Sequence, residues 1–110
     1  PKDKKLVPLL VQILKDKDQQ VLHFAAARSL GFLGADAREA IPDLIDALKA
    51  DDFTNAAQRS AILRNILSTL EQFGADAKEA VPIIRVLAND ADRGVRDSAR
   101  RALKKLDPVP

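Results

Sequence analysis

One eleven-residue stretch occurs twice in this chain. Residues 34–44 read GADAREAIPDL and residues 74–84 read GADAKEAVPII, with seven of eleven positions identical at a spacing of 40. Arg38 against Lys78 and Ile41 against Val81 are conservative changes. Self-similarity at a period of this size marks an array of stacked supersecondary units, each too small to bury its apolar face alone. A weaker earlier copy is LVPLL at 6–10, whose Pro8 stands 34 residues before Pro42. A later partial copy, VRDSARRALKKLDP at 95–108, aligns with LHFAAARSLGFLGA at 22–35. Leu30, Leu70 and Leu103 become equivalent, as do Leu33, Phe73 and Leu106. The copies divide a single domain, 1–110, into units of about 4–34, 35–74 and 75–107.

Each unit holds two segments with apolar residues at i, i+3, i+4 and i+7, the spacing of an amphipathic helix. Unit one has Leu6, Leu10, Ile13 and Leu14, then Leu22, Ala26, Leu30 and Leu33. Unit two has Ile41, Leu44, Ile45 and Leu48, then Ile62, Ile66, Leu70 and Phe73. Unit three has Ile84, Leu87 and Ala88, then Val95, Ala99, Leu103 and Leu106. No sustained alternation argues for strands. Gly34 and Gly74 suit the left-handed residue that ends a helix. Asp36 with Glu39, and Asp76 with Glu79, resemble capping boxes; alternatively Pro42 and Pro82 mark slightly later starts. The second Asp of Asp16/Asp18 and of Asp90/Asp92 is placed to cap the following helix.

Composition removes several functions. Cys is absent, which excludes disulfides, thiol nucleophiles and zinc-thiolate sites. Lys plus Arg is 18 and Asp plus Glu is 16, a net +2 too small to argue for a polyanionic partner. Aromatics are 4% of the chain, all Phe, few for stacking single-stranded nucleic acid. No apolar run is long enough to span a membrane. His23 is the only His, with no acidic or nucleophilic residue one turn away, so it reads as structural rather than as a general base. Asp16/Asp18, Asp51/Asp52 and Asp90/Asp92 recur at the turns, where capping explains them. They lack the Gly and terminal Glu of a calcium loop. No enzyme site, metal or cofactor is expected.

The halves Ala40-Ile-Pro42-Asp-Leu44-Ile45-Asp-Ala-Leu48 and Val95-Arg96-Asp-Ser-Ala99-Arg-Arg-Ala102-Leu103-Lys-Lys-Leu106 resemble HEAT repeats, in particular the bacterial HEAT-like repeats of the bilin-lyase (PBS-lyase) type. The resemblance implies an all-α, right-handed α-α superhelix of three helix pairs, six helices in all. It also implies a non-enzymatic protein–protein interaction or scaffold module, and a concave face lined by the second helices. Unit two departs from the pattern by about six extra residues near Phe53 to Ser60, and unit three lacks one residue after Pro82.

Spacing separates the side chains that point away from the core stripe. They are Phe24, Ala27, Arg28 and Gly31 in unit one, Arg64, Leu67, Ser68 and Glu71 in unit two, and Asp97, Arg100, Arg101 and Lys104 in unit three. The candidate partner-binding ridge is therefore Phe24, Arg28, Arg64, Leu67, Ser68, Glu71, Arg100, Arg101 and Lys104. It runs from apolar to basic. Phe24 beside Arg28 is the kind of pair that anchors interfaces; the alternative is Phe24 tucked against a neighbouring helix.

Arg93, Arg96, Arg100 and Lys104 share one side of the last helix and offer a second reading, contact with a nucleic-acid backbone. Cations favoured by the helix C-terminus, or the solvated face of an end unit, account for the same residues. Unit two has four basic and seven acidic residues, net −3, and 75–110 has eight basic and six acidic, net +2, so no continuous positive groove is expected. The first helix carries Leu6, Val7, Leu9, Leu10, Val11, Ile13 and Leu14, apolar on more than one side. That pattern fits a well-buried helix, a longer parent array or a partner-covered face. The protein is expected to be a monomer, or weakly self-associating through this helix. The chain reads as a fragment of a longer protein or a processed product; its compartment is not fixed by the sequence, with a cytoplasmic one favoured.

Overall fold

A computed structural model of the chain describes residues 5–16, 20–50, 53 and 55–107, and among these no strand occurs. Helices α1 (Val7–Lys15) and α2 (Gln20–Leu33) come first, followed by α3 (Ile41–Leu48), α4 (Ala56–Phe73), α5 (Val81–Leu87) and α6 (Arg93–Leu106). Helix α1 packs on α2, α3 on α4 and α5 on α6, which are the pairs expected from the repeat. The longer helices stand side by side, with α4 between α2 and α6. The molecule is a slab of 38 × 36 × 16 Å. Its short dimension suits two helix layers about 10 Å apart.

The central helix supplies most of the core. Leu63, Ile66, Leu67 and Leu70 of α4 are fully buried, together with Leu30, Leu44, Ile84 and Val95 from its neighbours. Each such side chain contributes about 1.5–3 kcal/mol by leaving water. The predicted stripes of units two and three are buried except at Ile45, Ala88 and Leu103, which are half-buried against the core. Unit one departs from expectation. Leu22 is exposed, whereas its repeat equivalent Ile62 is buried. The reason is position: Ile62 belongs to the central helix, which packs on α2, α3 and α6, whereas α2 packs mainly on α1, α4 and the segment after it. Helix α1 buries Val7 and Leu14, but its Leu9 is 59% exposed and Leu6 just before it 48%, so this segment is not covered on every side.

The repeated GADA(R/K)EA segments do not open the helices with capping boxes. Both form short 3-10 helices, Gly34–Ala40 and Gly74–Ala80, without side-chain capping bonds, and α3 and α5 start later with Pro42 and Pro82 in the first turn. Proline fits there because its missing N–H has no intrahelical acceptor to lose. Gly34 and Gly74 turn the chain with φ of 54° and 60°, which glycine permits, but Gly74 has ψ of −135° and so does not adopt the left-handed helical conformation expected from the sequence. Asp92 caps α6, accepting from the Val95 N–H at 2.9 Å. Asn55 does the same for α4 from Gln58 at 2.8 Å. The additional residues of unit two extend its second helix to 18 residues, against 14 in α2 and in α6. The expected caps Asp18, Asp51 and Asp52 lie outside the described residues.

Candidate functional site

Phe24 and Arg28 lie one turn apart on the exposed side of α2, and the Phe24 ring is 49% exposed rather than tucked away. The Arg28 Cζ lies 5.7 Å from the centroid of Phe24 and 5.7 Å from that of Phe32. Three residues at i−4, i and i+4 therefore form one stack, because that spacing places side chains above each other on a helix. Phe32 is 75% exposed and was absent from the predicted ridge. Its signal was in the sequence, since it continues the four-residue step from Phe24 through Arg28.

Further along the slab, Arg64, Ser68, Arg100, Arg101 and Lys104 are exposed and Glu71 is half-buried. Leu67 is fully buried and does not belong to a contact ridge. The helix to which it belongs is sandwiched between two others, so residues one step off the core stripe are covered as well. Ala27 is buried too, because it faces α4, where its carbonyl accepts the Thr69 hydroxyl at 2.8 Å. Arg101 reaches Glu71 at 3.6 Å and so joins α6 to α4 on the ridge. Arg100 turns another way: its Nε donates to the Ala88 carbonyl at 3.0 Å, at the C-terminal end of α5. The predicted ridge is thus partly dispersed, with Arg101 across from Glu71 and Arg100 facing its own unit.

The basic stripe on α6 is similarly occupied by neighbours. Arg93 pairs with Asp97 at 3.7 Å, and Arg96 donates to the Asp90 carbonyl at 3.2 Å. Asp90 meanwhile accepts two bonds from Arg59, at 3.0 and 2.7 Å, and one from the Asp92 N–H. The Arg59 hydrogen bonds hold the Asp90 carboxyl below its ordinary range, against the opposing pull of burial. Asp92 is lowered as well, first by the Val95 N–H it caps. Arg59 is raised by the same bond. These are structural links between unit two and unit three.

His23 is buried at the junction of the first two units. Its Nε2 lies 2.8 Å from the Asp16 carbonyl oxygen and donates to it, tying the start of α2 to the end of α1. The buried Nδ1 has no hydrogen-bond partner among the described residues. His23 also lines a cavity of about 190 Å³, with Leu14, Phe53 and Ile62 among its walls. Ligand sites for drug-sized molecules run from about 300 Å³ upward, so this one is small. Among the described residues no three His, Asp or Glu side chains come together as metal ligands. No described helix is long and apolar enough to cross a membrane.

The family model for HEAT repeats matches residues 1–63 of the chain. No curated protein and no solved structure matches it.

Proposed function

Because the chain belongs to the HEAT-repeat family, we propose that it is a non-enzymatic protein-interaction module that displays a rigid helical surface to a protein partner. In this reading the helix pairs form a right-handed superhelix of three pairs, six helices, and α2, α4 and α6 line the concave side. The supporting observation is the exposed row on those three helices. It begins with the Phe24–Arg28–Phe32 stack, continues through Arg64 and Ser68, and ends at Arg101 and Lys104. Aromatic and arginine side chains dominate binding energy at protein interfaces. The row sits on helices whose inner faces are packed, so its backbone is already ordered and binding has only its side chains to immobilise.

The test is affinity capture by the full chain from the extract of its native host, with and without nuclease, read by mass spectrometry. A protein that survives nuclease, and is lost when Arg100→Glu and Arg101→Glu are introduced together, supports the module reading. Capture that vanishes with nuclease would favour the second reading, phosphate contact through α6. The exposure of Arg93, Arg100 and Lys104 motivates that alternative. The ion pair to Asp97 and the backbone bonds of Arg96 and Arg100 weigh against it.

A further inference from the structure

Among the described residues, every arginine but one has a protein oxygen as its partner. Arg38 pairs with Asp76, Arg59 with Asp90, Arg85 with Asp107, Arg93 with Asp97 and Arg101 with Glu71. Arg64, Arg96 and Arg100 donate to backbone carbonyls. Arg28 has none of these. Its guanidinium rests between the Phe24 and Phe32 rings, 5.7 Å from each centroid, on an exposed helix face. A guanidinium within cation–π reach of two rings uses none of its N–H donors as hydrogen bonds to protein oxygens, so they remain for a carboxylate, which they grip in bidentate fashion. The two rings add exposed apolar area on either side of that charge. A cation with unused donors, flanked by two exposed phenyl rings, matches an anion that itself carries apolar groups on both sides.

We infer that the Phe24–Arg28–Phe32 stack is the docking site for an acidic peptide segment, in which one Asp or Glu binds Arg28 and flanking apolar side chains cover the rings. This rests on the interaction-module reading above and names its partner. The geometry also sets the peptide's spacing. Four helical residues separate Arg28 from each Phe, about 6 Å along the axis. Two residues of an extended peptide cover about 6.6 Å. The matching segment is therefore apolar–x–acidic–x–apolar in extended form. A single carboxylate suits the site better than a polyphosphate chain, because the site offers one guanidinium between two phenyl rings, whereas a phosphate backbone gains its affinity from several cations in a row.

A random-peptide phage library panned on the full chain, with Arg28→Gln as counter-selection, tests this directly. The expected consensus holds an acidic residue with apolar residues two positions to either side. A synthetic peptide of that consensus, followed by fluorescence anisotropy, should bind at least tenfold more weakly to Arg28→Gln and to Phe32→Ser. The same loss should follow when its acidic residue becomes the amide. Arg28→Lys should not restore binding, because an ammonium lacks the planar stack; full rescue by Lys would show that charge alone suffices and would overturn the stack's role. All three positions are on the surface, so unchanged circular dichroism melts should confirm that the variants fold. No enrichment, a consensus without an acid, or equal enrichment on Arg28→Gln would overturn the inference. So would displacement of the peptide by a short RNA, or sedimentation showing self-association that Phe32→Ser abolishes, since either names a different occupant. Host-protein capture that persists in Arg28→Gln but fails in the Arg100/Arg101 reversal would remove this inference and leave the module reading standing.

Discussion

Arg59 and Asp90 are joined by two hydrogen bonds of 3.0 and 2.7 Å, and through them α4 of unit two holds the turn that starts α6 of unit three. The pair is partly buried, with side-chain exposures of 33% and 15%. Ion pairs of this kind do more than exposed ones, because water screens them less. Asp90→Asn is expected to lower stability by about 1.5–3 kcal/mol, the usual worth of hydrogen bonds to charged groups. Thermal denaturation at pH 7 checks it.

The same carboxylates set the acid response. Asp90 and Asp92 both have folded-state pKa values below their ordinary ones. A depressed folded pKa contributes stability that is fully present above the unfolded value, about 3.9 for Asp. That stability is lost as pH falls through the folded value. The melting temperature should therefore decline from about pH 5 downward. Asp90→Asn should show a shallower decline than the wild type, and parallel curves for the two proteins would refute the assignment.

Leu67 and Ser68 are neighbours in sequence with opposite fates. Leu67→Ala should cost about 2–5 kcal/mol, through lost transfer energy and the cavity left behind. Ser68→Ala, on the exposed side, should change stability by less than about 0.5 kcal/mol. Urea unfolding of the two variants measures the contrast, and equal midpoints would mean that Leu67 is not packed as described.

Gly74 and Gly31 form a second contrast. Gly74 has φ of 60°, with nothing within 4 Å of an added Cβ, so Gly74→Ala is opposed by backbone conformation alone. The expected cost is about 1–2 kcal/mol. At Gly31 an added Cβ would come within 2.8 Å of the Gln72 side-chain oxygen. Gln72 is exposed and flexible at that end, so it can turn aside, and Gly31→Ala also gains the helix propensity that Gly lacks. Gly31→Ala should therefore be the milder change in a thermal melt, and Gly31→Ala,Gln72→Ala milder still.

Thr69 donates its hydroxyl to the Ala27 carbonyl at 2.8 Å, across the α2–α4 contact, and lies 2.9 Å from the Asn65 carbonyl of its own helix. Thr69→Val preserves the shape and removes the donor. It should cost about 1 kcal/mol, read as a lower unfolding midpoint. Ser68→Thr, on the exposed side of the same helix, should leave the midpoint in place.

The sequence by itself determined the repeat, the helical class and the pairing of helices within units. Those follow from short-range physics. A 3.6-residue period with caps and breakers states where apolar stripes lie, and a unit that repeats must pack on its copy. The positive-φ glycines and the Asp92 cap were legible for the same reason, since each is decided by one residue type in one local geometry. The 3-10 form of the GADA(R/K)EA segments was less so, because the capping-box pattern and a late start at Pro42 or Pro82 share the same letters. Only the tertiary structure decided which off-stripe residues remain outside. Leu67 is covered because α4 stands between α2 and α6, and Ala27 because it faces α4, whereas Leu22, although on the core stripe, stays exposed on the outer helix. Burial depends on how many neighbours a helix has, which no single-helix period encodes. Partner choice among the arginines was decided in the same way. Arg28 is distinguished by the oxygens that the folded chain brings to the other arginines and not to it.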